Sequence, residues 1–151
     1  MLHDEPSTSS PRDALNRLMV ASILMADDMA RGLQARGLTR TRATALWEMA
    51  RHDALNQRQI ADLLHVTPRN VTKLVDALEE GGFVTRAGQP GDRRAVLVRL
   101  TRKGRAAVAR MESEADAFAK QLFGDLPPVD RATVVRALNQ VITRLGGAEP
   151  R

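Results

Sequence analysis

Between Arg12 and Leu33 the apolar residues Leu15, Leu18, Met25 and Met29, with Ser22 as the weak member, recur at steps of three and four. That spacing keeps one stripe of a helix turned toward a partner helix. A second helical face, Ala43, Leu46, Trp47 and Ala50, lies between about Arg40 and Arg51, after a break at Gly37 and a plausible N-cap at Thr39. Asn56 with Gln59 three residues later has the form of a capping box, and opens a short helix whose Ile60, Leu63 and Leu64 turn inward. His65 and Val66 leave that helix. Thr67 then suits an N-cap and Pro68 the first helical position, where a missing N–H costs nothing. Val71, Leu74, Val75 and Leu78 form the buried stripe of the next helix, which stops at Gly81-Gly82. Two helices joined by a short turn predict a helix-turn-helix.

The pattern then changes period. Phe83 to Arg86 and Ala95 to Leu100 alternate like strands, joined by a connector from Ala87 to Arg94 that exceeds the about two to five residues usual in a hairpin loop. Thr101 caps a long helix in which Val108, Met111, Ala115, Phe118 and Leu122 repeat the three-four step, and a break follows from Gly124 to Pro128. Val134, Val135, Leu138, Val141, Ile142 and Leu145 carry the last helix. The expected fold is mainly α with a small β-hairpin. The expected divisions are a disordered tail at 1–11, a helical lobe of 12–36 with 101–146, a central lobe at 39–100 and a tail at 147–151. Three long seam-like stripes need partners, and a second copy of the chain supplies them most easily.

The leading edge of the second helix of the pair carries Thr67, Arg69, Asn70, Thr72 and Lys73, while Asp76, Glu79 and Glu80 are held back to its C-terminal half. Arg and Lys donate to guanine edges or phosphates, Asn pairs with adenine, and Thr suits phosphates or a thymine methyl. Acidic residues at a helix C-terminus oppose the macrodipole, so the order points to what the N-terminal half must meet. Charge agrees: residues 57–105 hold ten Lys/Arg against five Asp/Glu, whereas residues 1–56 hold seven of each and residues 106–151 six of each. A basic excess confined to one segment is the footprint of a polyanion-binding module.

Other chemistry drops away. The chain has no Cys, which removes thiolate metal sites and cysteine nucleophiles, and His3, His52 and His65 show no metal-ligand spacing. No phosphate-binding glycine loop, paired His/carboxylate motif or nucleophile signature is present, so neither an enzyme nor a cofactor is expected. Trp47 and the three Phe sit in core-like positions and there is no Tyr, which leaves single-stranded nucleic acid without a stacking platform. The polar, acidic start does not read as a signal peptide and the longest apolar run, near Leu18 to Ala26, is too short to span a bilayer. A cytoplasmic protein without a membrane partner is expected. The alternative to DNA binding is a winged-helix protein-protein interaction module, which would present an apolar or acidic leading face.

The run from Gln57 to Gly104, with its IADLLHVTPRNVTKLVDALEEGGFVTR core and GDRRAVLVRLTRKG continuation, resembles the MarR (multiple antibiotic resistance regulator) family of winged helix-turn-helix transcription factors. The likeness extends from about residue 13 to 146, and the Asp92-Arg93-Arg94 triplet with the Val-Arg-Leu-Thr run and Gly104 is its most specific part. The resemblance implies a homodimer on a pseudo-palindromic operator in double-stranded DNA, with half-sites about one helical turn apart. By position it implies DNA contacts from Thr67, Pro68, Arg69, Asn70, Thr72 and Lys73 on the recognition helix and from Arg86, Arg93 and Arg94 on the wing. Asp92 would pair with one of the two adjacent arginines and hold the hairpin while the other enters the minor groove. The wing tip carries Gly88 and Gly91 around Gln89 and Pro90 where the family is more often acidic, which implies a tip that orders on DNA. The family's response to small aromatic or phenolic effectors would fall on Met25, Met29, Trp47, Met49, Arg51 and His52. For Trp47 and the methionines, plain core packing is the competing reading.

Overall fold

The computed structural model describes residues 10–89 and 91–147, with the side chains of residues 89 and 92–95 outside the description. In chain order the elements are α1 (Pro11–Gln34), α2 (Arg40–Met49), β1 (Leu55–Asn56), α3 (Gln57–Leu64), α4 (Pro68–Glu80), β2 (Val84–Gln89), β3 (Asp92–Leu100), α5 (Arg102–Phe123) and α6 (Pro128–Arg144). The protein is mostly helical with one small antiparallel sheet, ordered β1-β3-β2.

Local chemistry sets most boundaries. Ser10 caps α1 through a capping box with Asp13, and Pro11 takes the first turn, so the helix begins inside the stretch expected as a tail; residues 1–9 lie outside the described residues. Thr39 caps α2, Asn56 and Gln59 form the capping box of α3, and Thr67 with Pro68 starts α4. Between α3 and α4, His65 adopts a left-handed conformation at φ 52°, one of the few non-glycine residue types that tolerate it. The far end of α4 closes by a Schellman arrangement: the Phe83 N–H donates to the Leu78 carbonyl and the Gly82 N–H to that of Glu79, with Gly82 at φ 74°.

The sheet departs from the expected hairpin in two ways. β2 and β3 run on to Gln89 and back from Asp92, so the long connector shrinks to residues 90 and 91, with a register irregularity at Gly88/Gln89. Backbone pairing continues where the side chains have stopped alternating, and hydropathy cannot register it. β1 also pairs with β3, Leu55 opposite Val98. A two-residue strand has no periodicity to read.

The chain divides into two compact units at Val108/Ala109. In the first, Leu46 of α2, Ile60 of α3, Val71, Val75 and Leu78 of α4, Val84 of β2 and Val98 of β3 are fully buried and form the core of the winged helix. One inward expectation fails: Leu63 is 37% exposed, and Ala61 is buried instead. On a helix this short the inner face centres between Ile60, Ala61 and Leu64, and position 63 falls off its edge. In the second unit, Arg131 closes the turn before α6, donating to the carbonyls of Phe123 at 3.4 Å and Leu126 at 2.5 Å. Among the described residues, no helix is long and apolar enough to cross a membrane.

Candidate nucleic-acid interface

α4 presents its face to solvent because its apolar residues are confined to one stripe, leaving Thr67, Pro68, Arg69, Asn70, Thr72 and Lys73 exposed. These six side chains are not equivalent. The Thr67 hydroxyl is spent on the cap, accepting from the Asn70 N–H at 3.4 Å. The Thr72 hydroxyl lies 3.1 Å from the Pro68 carbonyl and 3.2 Å from Oε1 of Gln57 on α3. Arg69, Asn70 and Lys73 have no side-chain partner among the described residues, so two cations and a carboxamide remain to meet a ligand at the leading turns of the helix.

Arg86, expected at the DNA, is occupied elsewhere. Its guanidinium donates to Asp76 Oδ1 and to Glu79 Oε2, both at 2.5 Å, and its backbone N–H donates to Glu79 Oε1 at 3.2 Å. Its side chain is 22% exposed. Partial desolvation works against its charge, but the bonds and proximity of Asp76 and Glu79 outweigh that and raise the pKa above the ordinary arginine value. So the acids on the C-terminal half of α4 have a task of their own: they hold the base of the wing to the helix. The sequence signal was there, two acids three residues apart set against the macrodipole, but their partner is on another element.

The rest of the basic excess sorts the same way. Arg99 pairs with Asp53 at 3.1 Å. The Lys103 ammonium donates to the Gly81 carbonyl at 2.7 Å and stands 4.6 Å from the centre of the Phe83 ring. Arg105 donates to the Leu100 carbonyl at 2.8 Å. Arg58 and Arg102 are exposed and join Arg69 and Lys73 as cations without a partner among the described residues. Arg93 and Arg94, with Asp92, belong to β3, and their side chains lie outside the described residues.

The six effector candidates do not share one environment. Met25 and Met29 are exposed on α1, Trp47 is half-buried and Met49 buried on α2, and Arg51 and His52 are exposed in the turn after it. Met49 is 3% exposed. Among the described residues no group of His, Cys, Asp and Glu could hold a metal ion.

Comparison with known proteins places this geometry. Residues 38–96 match the model of the MarR family. The HTH-type transcriptional regulator YdgJ of Bacillus subtilis is 25% identical over 75% of this chain and 69% of its own length. The HTH-type transcriptional repressor MdtR of the same organism is 29% identical over 51% of this chain and half of its own. The S. aureus MepR–DNA complex shares the fold with a TM-score of 0.71 and 23% identity, over 87% of this chain and 98% of that one.

Proposed function

We propose, from the match of residues 38–96 to the MarR family model, that the chain is a MarR-family, sequence-specific regulator of transcription. In this reading it binds double-stranded DNA as a homodimer, on a pseudo-palindromic operator, and represses. The observation that carries the proposal is the leading face of α4, where Arg69, Asn70 and Lys73 are exposed and unpartnered among the described residues. Arg and Asn have the donor geometry for base edges and Lys for phosphate. Thr67 and Pro68 shape the entry of the helix, and Arg93 or Arg94 supplies the wing contact with Asp92 holding the other. The name of MdtR supports repression, and the complex of MepR supports DNA as the partner.

The dimer rests on what α1 and α6 leave uncovered. Neither helix has a buried residue, and Leu15, Leu18, Met25 and Met29 of the α1 stripe stand 36–54% exposed. In the proposed assembly residues 12–36 and 101–146 form the dimer lobe and 39–100 the DNA-binding lobe. An effector of small aromatic or phenolic type would bind beside Met25, Met29 and Trp47, with Arg51 or His52 for its anionic group. A thermal shift screen of aromatic acids tests that part alone: stabilisation is expected, and none from any compound removes the pocket. DNA binding is tested by titrating duplex and single-stranded DNA across a salt series. Duplex binding should be preferred, with affinity falling linearly on logarithmic axes. Equal binding of both, or none, contradicts the proposal.

A further inference from the structure

Thr72 was expected to touch DNA itself, yet its hydroxyl has one proton and two acceptors within reach. The bond to Pro68 is the ordinary back-bond of a helical threonine. The other crosses fifteen residues to Gln57, the half-buried first residue of α3. Gln57 sits in a fixed frame. The Asn56–Gln59 capping box binds its flanks at 2.8 and 2.9 Å, and Asn56 is paired in register with Leu97 of β3. On the trailing half of α4, Asp76 and Glu79 are held by Arg86. Positions 72, 76 and 79 share one flank of a helix. That flank is therefore tied at both ends, to α3 and to β2; Arg69 lies at its leading end, one turn before Thr72, and Lys73 and Asn70 stand progressively further round the helix.

We propose that Gln57, a residue outside the recognition helix, is a positioning residue for sequence reading: by holding Thr72 it fixes the roll of α4 about its own axis, and with it the aim of Arg69, Asn70 and Lys73. Thr72 is the handle rather than a base reader. The inference rests on the DNA-binding reading above.

The test compares the motifs enriched from random duplex DNA by full-length wild type, Gln57→Leu, Thr72→Val, Thr72→Ser and the Gln57→Leu/Thr72→Val double variant, with thermal midpoints to check folding. Affinity is read on the duplex that wild type selects and on a scrambled one. Each of Gln57→Leu and Thr72→Val should reduce the ratio of the two affinities about tenfold, the size of one lost hydrogen bond. The double variant should lose no more than either single, and Thr72→Ser should behave as wild type. Preferences should blur at several half-site positions together, because roll moves all three readers. A Thr72→Val change confined to one base column, with Gln57→Leu unchanged, makes Thr72 a direct reader and overturns the proposal; so do additive losses. Where Thr72→Val fails to fold, Gln57→Glu replaces it: it keeps the acceptor oxygen and should keep the motif, and a motif blurred as in Gln57→Leu overturns the proposal. If wild type itself enriches nothing, the DNA-binding reading fails and this inference with it.

Discussion

Replacing Arg86 with Gln removes both ion pairs to α4 and leaves Asp76 and Glu79 uncompensated beside the face proposed to meet phosphates. Because both carboxylates are more than a third exposed, the loss of stability should be about 1 kcal/mol or less, while affinity for duplex DNA falls further than that loss explains. Thermal midpoints and anisotropy titrations separate the two, and Arg86→Lys should recover little, since it restores charge without the forked bond. A second residue carries a pH dependence. The Ser10 hydroxyl and backbone N–H hold the Asp13 carboxyl below its usual range. A depressed carboxylate contributes stability that is present above its unfolded value and lost as pH falls through the folded one. Acid titration followed by amide exchange at the start of α1 should therefore show fraying there, and Asp13→Asn should fray at neutral pH. What was legible at this scale was whatever is local. The caps at Thr39, Asn56 and Thr67 have their partners within three residues. The partners of Arg86 lie seven and ten residues away and that of Thr72 fifteen, on other elements, so no spacing rule finds them.

The elements depend on a few close approaches that hydropathy does not report. A Cβ at Gly104, in the first turn of α5, would run into the Phe83 carbonyl oxygen, which accepts from the Thr101 N–H at 3.0 Å while the Thr101 hydroxyl donates to the Gly82 carbonyl at 2.6 Å. Gly104→Ala must push α5 off the end of α4, and should cost at least about 2 kcal/mol in chemical denaturation. Thr67→Ala tests the opposite end of α4. It removes a single cap bond and should cost about 1 kcal/mol. The helices were readable because their stripes are long and their ends carry Ser, Thr, Asn, Pro or Gly. The sheet was not, because β1 is two residues long and the outer parts of β2 and β3 pair Ala87 with Leu97, Gly88 with Val96 and Gln89 with Asp92, where the sequence does not alternate.

For the whole molecule, the charge that singled out residues 57–105 is less uniform than its sum. Arg86, Arg99, Lys103 and Arg105 are used within the fold, which concentrates the exposed, unpartnered cations among the described residues of this segment at Arg58, Arg69, Lys73 and Arg102. Lys73→Ala should reduce the slope of log affinity against log salt by about one without changing the preferred sequence. The exposed apolar stripe of α1 makes a separate claim: sedimentation equilibrium should give twice the 16.6 kDa chain mass, and Leu18→Glu should shift it toward one. The most direct test of the central claim is selection from random duplex DNA by wild type beside Arg69→Ala and Asn70→Ala. The account predicts an inverted repeat with half-sites about one helical turn, roughly 34 to 36 Å, apart, in which each variant loses preference at one base per half-site at a cost of about 1 to 3 kcal/mol. No enriched motif, or one that both variants leave untouched, would contradict it.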